Sequence, residues 1–250
     1  MGAMKGIEEP ARRRASALLE AAGIVRRPAI EALGLYKIYR EGEVETVALR
    51  GAELSLNGGT WTALTGPSGS GKSTLVHILA GLVEPTGGAV MIGGQDLTRV
   101  PEPERTRLRR GRIGVVLQRD NLHPLLSVAA NVALPLRIEG RSRASVAARV
   151  AALLEAVGLA DRRRHLPREL SGGERQRAAI ALAAAASPEV LLTDEPTGEL
   201  DAASAEAVLD LLAELREGGA AVLTVTHNPR VAERADRRLE MLDGEVLGGR

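Results

Sequence analysis

The residues best suited to chemistry are Gly66-Pro67-Ser68-Gly69-Ser70-Gly71-Lys72-Ser73-Thr74, which fit the phosphate-loop pattern G-x-x-x-x-G-K-[ST]. Each fixed position answers a need of polyphosphate binding. Glycines let the backbone turn with positive φ, so that consecutive N–H groups converge on one anion. Lys72 would reach the β- and γ-phosphates, and Ser73 would offer a hydroxyl to Mg²⁺. The competing reading is a plain glycine–serine connection between a strand and a helix. Context favours the phosphate. Residues 60–65 read as a strand entering the loop and residues 73–82 as a helix leaving it, whose N-terminus adds partial positive charge beneath the anion. Only Lys5, Lys37 and Lys72 are lysines among 33 Lys and Arg residues, so composition alone does not put a lysine here.

Further polar residues stand at the ends of apolar runs. Residues 190–193 read as a buried strand that delivers Asp194 and Glu195 to its C-terminal edge, where ligands gather in parallel α/β sheets. One acid for Mg²⁺ and a neighbouring acid to orient water suits phosphoryl transfer. Two exposed acids in that place would equally cap the segment that follows. A second buried strand, residues 220–225, ends at Thr226-His227, and residues 113–117 end at Gln118. His77, His123 and His165 fall in helix or loop contexts that call for no ligand role. Ser171-Gly172-Gly173-Glu174 opens a helix running to about residue 186. Ser171 is its N-cap, and the glycines leave N–H groups open to an anion. Taken alone, the same motif is also an ordinary capped helix start. Tyr39 offers a flat face to a base, or simply packs before a turn.

The elements that must position these residues follow from periodicity. Residues 30–33 and 47–49 read as short strands with a turn at 42–45, residues 89–92 as a strand after the turn at 85–88, and residues 101–110 as a surface helix. Between residues 121 and 168 no strand pattern occurs. Val146, Val150, Leu153, Leu154 and Val157 recur at helical spacing before the stop signal Gly158, so this region reads as a helical insertion into an α/β core. Residues 201–215 read as a helix, and residues 238–246 as a hairpin around Asp243-Gly244.

Composition sets the outer limits. The 250 residues suffice for one well-cored domain, and the net charge of +1 implies no general attraction to nucleic acid or acidic membranes. There is no cysteine, hence no disulfide and no thiolate metal site. No apolar run approaches a membrane span and no secretory pattern is evident, so a cytoplasmic chain is expected. Tyr36, Tyr39 and Trp61 are the only aromatic residues, which leaves the core to Leu, Val, Ile and Ala. Residues 1–28 read as a flexible extension with a basic entry, Arg12-Arg13-Arg14, and residues 29–250 as the functional domain.

The ordered set of phosphate loop, Gln118, Leu170-Ser171-Gly172-Gly173-Glu174, Asp194-Glu195, Asp201 and His227 resembles the nucleotide-binding domain of ATP-binding-cassette (ABC) proteins, over about residues 30–247. The resemblance implies an α/β P-loop NTPase fold with a mixed-sheet RecA-like core, an antiparallel β subdomain and an inserted helical subdomain at about 121–170. It implies ATP and Mg²⁺, with Tyr39 stacking on adenine, residues 66–74 on the phosphates, and Ser73, Gln118 and Asp194 toward the metal. Glu195 resembles the family's catalytic base and His227 its γ-phosphate sensor. Ser171, Gly172, Gly173 and Glu174 resemble the signature that meets ATP on the opposite protomer, with Asp201 at the dimer interface.

Within the family, Tyr39-Arg40-Glu41-Gly42, Asn131-Val132-Ala133-Leu134-Pro135-Leu136 and Asp194-Glu195-Pro196-Thr197-Gly198 are similar to the lipoprotein-release, macrolide-export and cell-division branch. Four positions depart from the usual pattern: Ala130, Leu182, Glu199 and Asn228. None removes a catalytic group. The resemblance implies an ATPase subunit on the inner face of the membrane, working as a homodimer or heterodimer that powers a separate transmembrane permease. A cell-division-type regulatory ATPase is the alternative. A soluble member acting on DNA or ribosomes would carry a long coiled-coil insert or two cassettes. The chain has neither, and no nucleic-acid partner is expected.

Overall fold

The computed structural model describes residues 27–42, 44–198 and 200–248. The expected extension therefore lies almost wholly outside the described residues, as does Glu199.

The chain opens with β1 (Ile30–Glu41) and β2 (Val44–Leu56), an antiparallel hairpin turning at Gly42. These strands are far longer than the short segments read from sequence. Register shifts near Ala32/Leu35 and Lys37/Ile38 interrupt the alternation, and an interrupted period of two hides a strand from pattern reading. Next come β3 (Trp61–Thr65), α1 (Lys72–Leu79), β4 (Gly87–Ile92), β5 (Gln95–Asp96), α2 (Glu102–Arg109) and β6 (Ile113–Val116). A helical stretch follows: α3 (Val128–Ile138), α4 (Arg143–Ala156), 3₁₀ turns at Ala160–Arg162 and Pro167–Glu169, and α5 (Gly172–Ala184). The chain closes with β7 (Val190–Asp194), α6 (Ala202–Glu217), β8 (Ala221–Val225), α7 (Pro229–Arg234), β9 (Arg237–Leu242) and β10 (Glu245–Leu247). Neither β5 nor α7 has a sequence pattern strong enough to announce it, being two and six residues long.

Two sheets result. One is antiparallel, in the order β2-β1-β4-β5, and the other runs β10-β9-β3-β8-β7-β6, parallel except for β10 against β9. The mixed sheet is covered on both faces, which is why β7 and β8 are buried throughout and mostly apolar. Alternate residues feed separate clusters. Leu191 and Val222 join α3, α4, α5 and α6 on one side. Val190, Leu192, Leu223 and Val225 join α1 and the antiparallel sheet on the other. Trp61 is the one aromatic residue of this core, and its indole N–H donates to Thr224 Oγ1 at 2.9 Å. Thr193 Oγ1 lies 2.9 Å from the same hydroxyl, so a chain of satisfied polar groups crosses β3, β8 and β7 just below the strand ends.

Candidate nucleotide site

The phosphate loop leaves β3 and enters α1 through Gly71, a left-handed N-cap with no side-chain hydrogen bond. The first amides of α1 are thus left without the side-chain acceptor that most helices carry. Two glycines here are dictated by their surroundings. A Cβ on Gly66 (φ 147°) would strike the carbonyl oxygen of Met241, and one on Gly71 (φ 102°) that of Ala48. The loop is held between β9 and β2. Lys72 folds back across it, its ammonium donating to the carbonyls of Gly66 at 2.9 Å and Pro67 at 2.7 Å and lying 3.4 Å from Ser70 Oγ.

Asp194 ends β7 beside the start of α1. It is 5% exposed. Burial raises its pKa; the Ser73 hydroxyl opposes that, while the Glu195 charge adds to it. His77, one turn after Ser73, acts on Asp194 electrostatically, a role its helix position did not suggest. Neither acid is exposed, as a capping pair would be, and Asp194 caps nothing. The following helix, α6, is capped by Asp201, whose Oδ1 accepts from Ser204 N–H at 3.0 Å. Ser73 and Asp194 fit a small hard cation, being oxygen donors that include one buried, under-compensated carboxylate.

Glu195 turns away from β7 with φ 49°, its N–H donating to Val225 O at 2.9 Å. The end of β8 holds its carboxylate. Thr226 Oγ1 donates to Oε2 at 3.2 Å, and the His227 backbone N–H donates to Oε1 at 3.0 Å. His227 Nδ1 lies 2.7 Å from Oε1. An ionised carboxylate only accepts, so Nδ1 carries the proton in this pairing. Thr226 was not singled out from sequence, although its place before His227 at a strand end was the available signal. Asn228 caps α7, accepting from Arg230 N–H at 3.0 Å, so this departure from the family pattern keeps a capping side chain.

Gln118 follows β6 in a turn clipped by Asn121, which accepts from Leu117 N–H and donates to Leu117 O, both at 2.7 Å. With Glu195, His227 and Gly172 it borders a cleft of about 690 Å³. Among the described residues none of 66–74 lines this cleft. This cleft and the phosphate loop are therefore different places, which accords with a loop that grips its ligand by backbone amides at a surface.

The signature start is a complete capping box. Ser171 Oγ accepts from Glu174 N–H at 3.2 Å, and Glu174 Oε2 accepts from Ser171 N–H at 2.8 Å. The box does not use the amides of Gly172 and Gly173. The Ser171 amide and the Arg162 guanidinium, 2.9 Å from Oε1, hold Glu174 down at a pKa of about 2. Gly173 packs against α6 so closely that a Cβ would fall 2.7 Å from Ser204 Cβ. Tyr39 stands on β1, 38% exposed, with the Lys37 ammonium 4.9 Å from its ring centroid.

A glycine loop entering a helix from a parallel strand, β3, with an acid pair at the end of β7 one strand removed across β8, defines a P-loop nucleoside-triphosphatase. The chain belongs to the ABC transporter family, whose pattern matches residues 49–198, and is an ATPase subunit of that family. It is 46% identical over 209 residues to the lipoprotein-releasing system ATP-binding protein LolD of Shewanella sp. (strain MR-7), covering 83% of this chain and 90% of that one. It also superposes on the ATP-binding cassette MJ0796 in a dimeric post-hydrolysis state bound to ADP and Pi. That match has a TM-score of 0.83 and 37% identity over 88% of this chain and 97% of that one. A second dimeric structure of this bacterial cassette gives the same TM-score at 38% identity.

Proposed function

We propose that the chain binds Mg-ATP at its phosphate loop, pairs with a second copy around two nucleotides, and powers a lipoprotein-release-type permease in the membrane. The observation that carries this reading is the grouping at the ends of β7 and β8. Asp194 faces Ser73 there, while Glu195 is held by Thr226 and His227. Lys72 and the α1 amides would bind the β- and γ-phosphates, and the face of Tyr39 would receive the base. Ser73, Asp194 and Gln118 would hold Mg²⁺, which when bound supplies neutralising charge to the phosphate oxygens. Glu195 takes the water's proton, and His227 fixes the carboxylate that takes it.

The start of α5 offers Gly172 and Gly173 amides to a phosphate that its own chain already grips elsewhere. A head-to-tail pair resolves this by giving each signature the partner's nucleotide. No helix among the described residues is long and apolar enough to cross a membrane, so transport belongs to a separate chain in this reading. The helical stretch between β6 and β7 is proposed as its docking side.

Glu195→Gln keeps the shape and removes the base. Its turnover should fall about 10²–10⁴-fold while ATP still binds, and it should sediment as a dimer only with Mg-ATP. A monomer under both conditions would overturn the two-copy assembly.

A further inference from the structure

The hairpin β9–β10 lies 170 residues beyond the phosphate loop yet touches it at several points. Gly244 N–H donates to Ser70 O at 3.0 Å, and Arg50 N–H of β2 donates to Gly244 O at 2.9 Å. A single residue, Gly244, therefore ties the loop to the antiparallel sheet through its N–H and its C=O. The carbonyl of Met241, on the same hairpin, occupies the space a Cβ of Gly66 would need, and Met241 Cε lies 3.1 Å from the Cβ position of Gly71. The turn is a two-residue one, with φ 47° at Asp243 and 85° at Gly244. A Cβ on Gly244 would meet Ala48 O at 2.9 Å and Arg50 N at 3.1 Å. Only glycine lets the turn enter the gap between β2 and the loop.

We propose that Gly244 is a positioning residue for nucleotide binding: the turn it forms clamps the backbone of the phosphate loop through Ser70 and sets its phosphate-facing amides. This rests on the nucleotide site proposed above. The physical reasoning is direct. A loop that binds through backbone amides has no side-chain rotamer to fix it, so its geometry depends on what its own carbonyls are bonded to. Ser70 O is one such carbonyl, and its partner belongs to a remote hairpin. Loosening it weakens every phosphate contact equally, in ground state and transition state alike.

The consequence is a split in the kinetics. Gly244→Ala should raise the KM for ATP about tenfold and leave kcat within about twofold, the signature of lost uniform binding. The Kd for Mg-ADP should rise in parallel. Gly248→Ala, at a position with nothing within 4 Å, should leave both unchanged. Gly244→Asn separates two causes, because asparagine tolerates positive φ but still carries a Cβ; it too should raise KM.

Hydrogen exchange on the unmodified chain tests the clamp even if these variants fail to fold. Mg-ADP should slow exchange in the peptides covering 66–72 and also in those covering 241–247. Protection of the loop with no change in the hairpin would overturn the proposal, as would a Gly244→Ala variant with unaltered Kd and KM. Failure of the unmodified chain to bind Mg-ADP would instead overturn the nucleotide site itself, and the clamp with it.

Discussion

The chain begins two helices with glycine-rich turns, and the acids beside them are held in opposite states. At α1 the N-cap is Gly71, which offers no side chain, and the neighbouring Asp194 is buried with its pKa raised. At α5 the N-cap is Ser171, the capping box is closed, and Glu174 is engaged by an amide and a guanidinium that lower its pKa to about 2. The first start is electrostatically unfinished without a ligand. The second is finished by its own chain, with only the Gly172 and Gly173 amides outside the box. On the proposed assignment, the start that receives a ligand gives up local stability, whereas the start that closes its own capping box keeps it.

Changes at the first start should therefore act on binding and turnover, and changes at the second on the stability of the free chain. Asp194→Asn should show the largest effect. It removes the charge that would hold Mg²⁺, so hydrolysis should fall on the order of 10²-fold or more. Yet the ligand-free chain should melt at a higher temperature. The sign follows from linkage: a carboxyl whose folded pKa is raised favours folding only when protonated, so its ionised form opposes folding at neutral pH. Scanning calorimetry without nucleotide checks this, and an unchanged or lower melting temperature would break the contrast.

Lys72→Ala should weaken ATP and ADP binding about 10–100-fold, the worth of hydrogen bonds to a charged group, in a calorimetric titration. Because the ammonium bonds only loop carbonyls and Ser70 in the free chain, the melting temperature should barely move.

At the second start the order reverses. Gly173→Ala inserts a methyl against Ser204 and should destabilise the free chain by about 1–3 kcal/mol in urea unfolding. ADP affinity of the isolated chain should be unaffected.

The smallest effect belongs to Glu174→Ala, about 1 kcal/mol for a broken capping box. Its pH dependence is specific. With a folded pKa of about 2 against an ordinary 4.5, the ionised carboxylate stabilises fully above the ordinary value. That stabilisation fades as pH falls from there towards about 2. The unmodified chain and the variant should therefore converge in stability as the solution is acidified. A gap that persists at low pH would assign the loss to packing instead.

What was legible in the sequence was local. The phosphate loop is one continuous run, residues 66–74, and the Ser171–Glu174 cap is an i to i+3 pattern fixed by turn geometry. The buried strands β7 and β8 announced themselves by continuous apolar runs, and their polar ends followed. The antiparallel strands were under-read because bulges break their alternation. The sequence divided Asp194 and Glu195 into an acid for Mg²⁺ and an acid to orient water, but it says nothing of which is buried or what holds each. Only the tertiary structure buries one against Ser73 and hands the other to His227, 32 residues later. It alone brings His77 near Asp194, and Met241, Ala48 and Gly244 around the loop. These approaches depend on strand order: β9 lies beside β3 in the sheet, and β2 reaches the loop from the other sheet. No nearest-neighbour preference encodes which distant carbonyl will face a glycine, so that decision belonged to the packed fold.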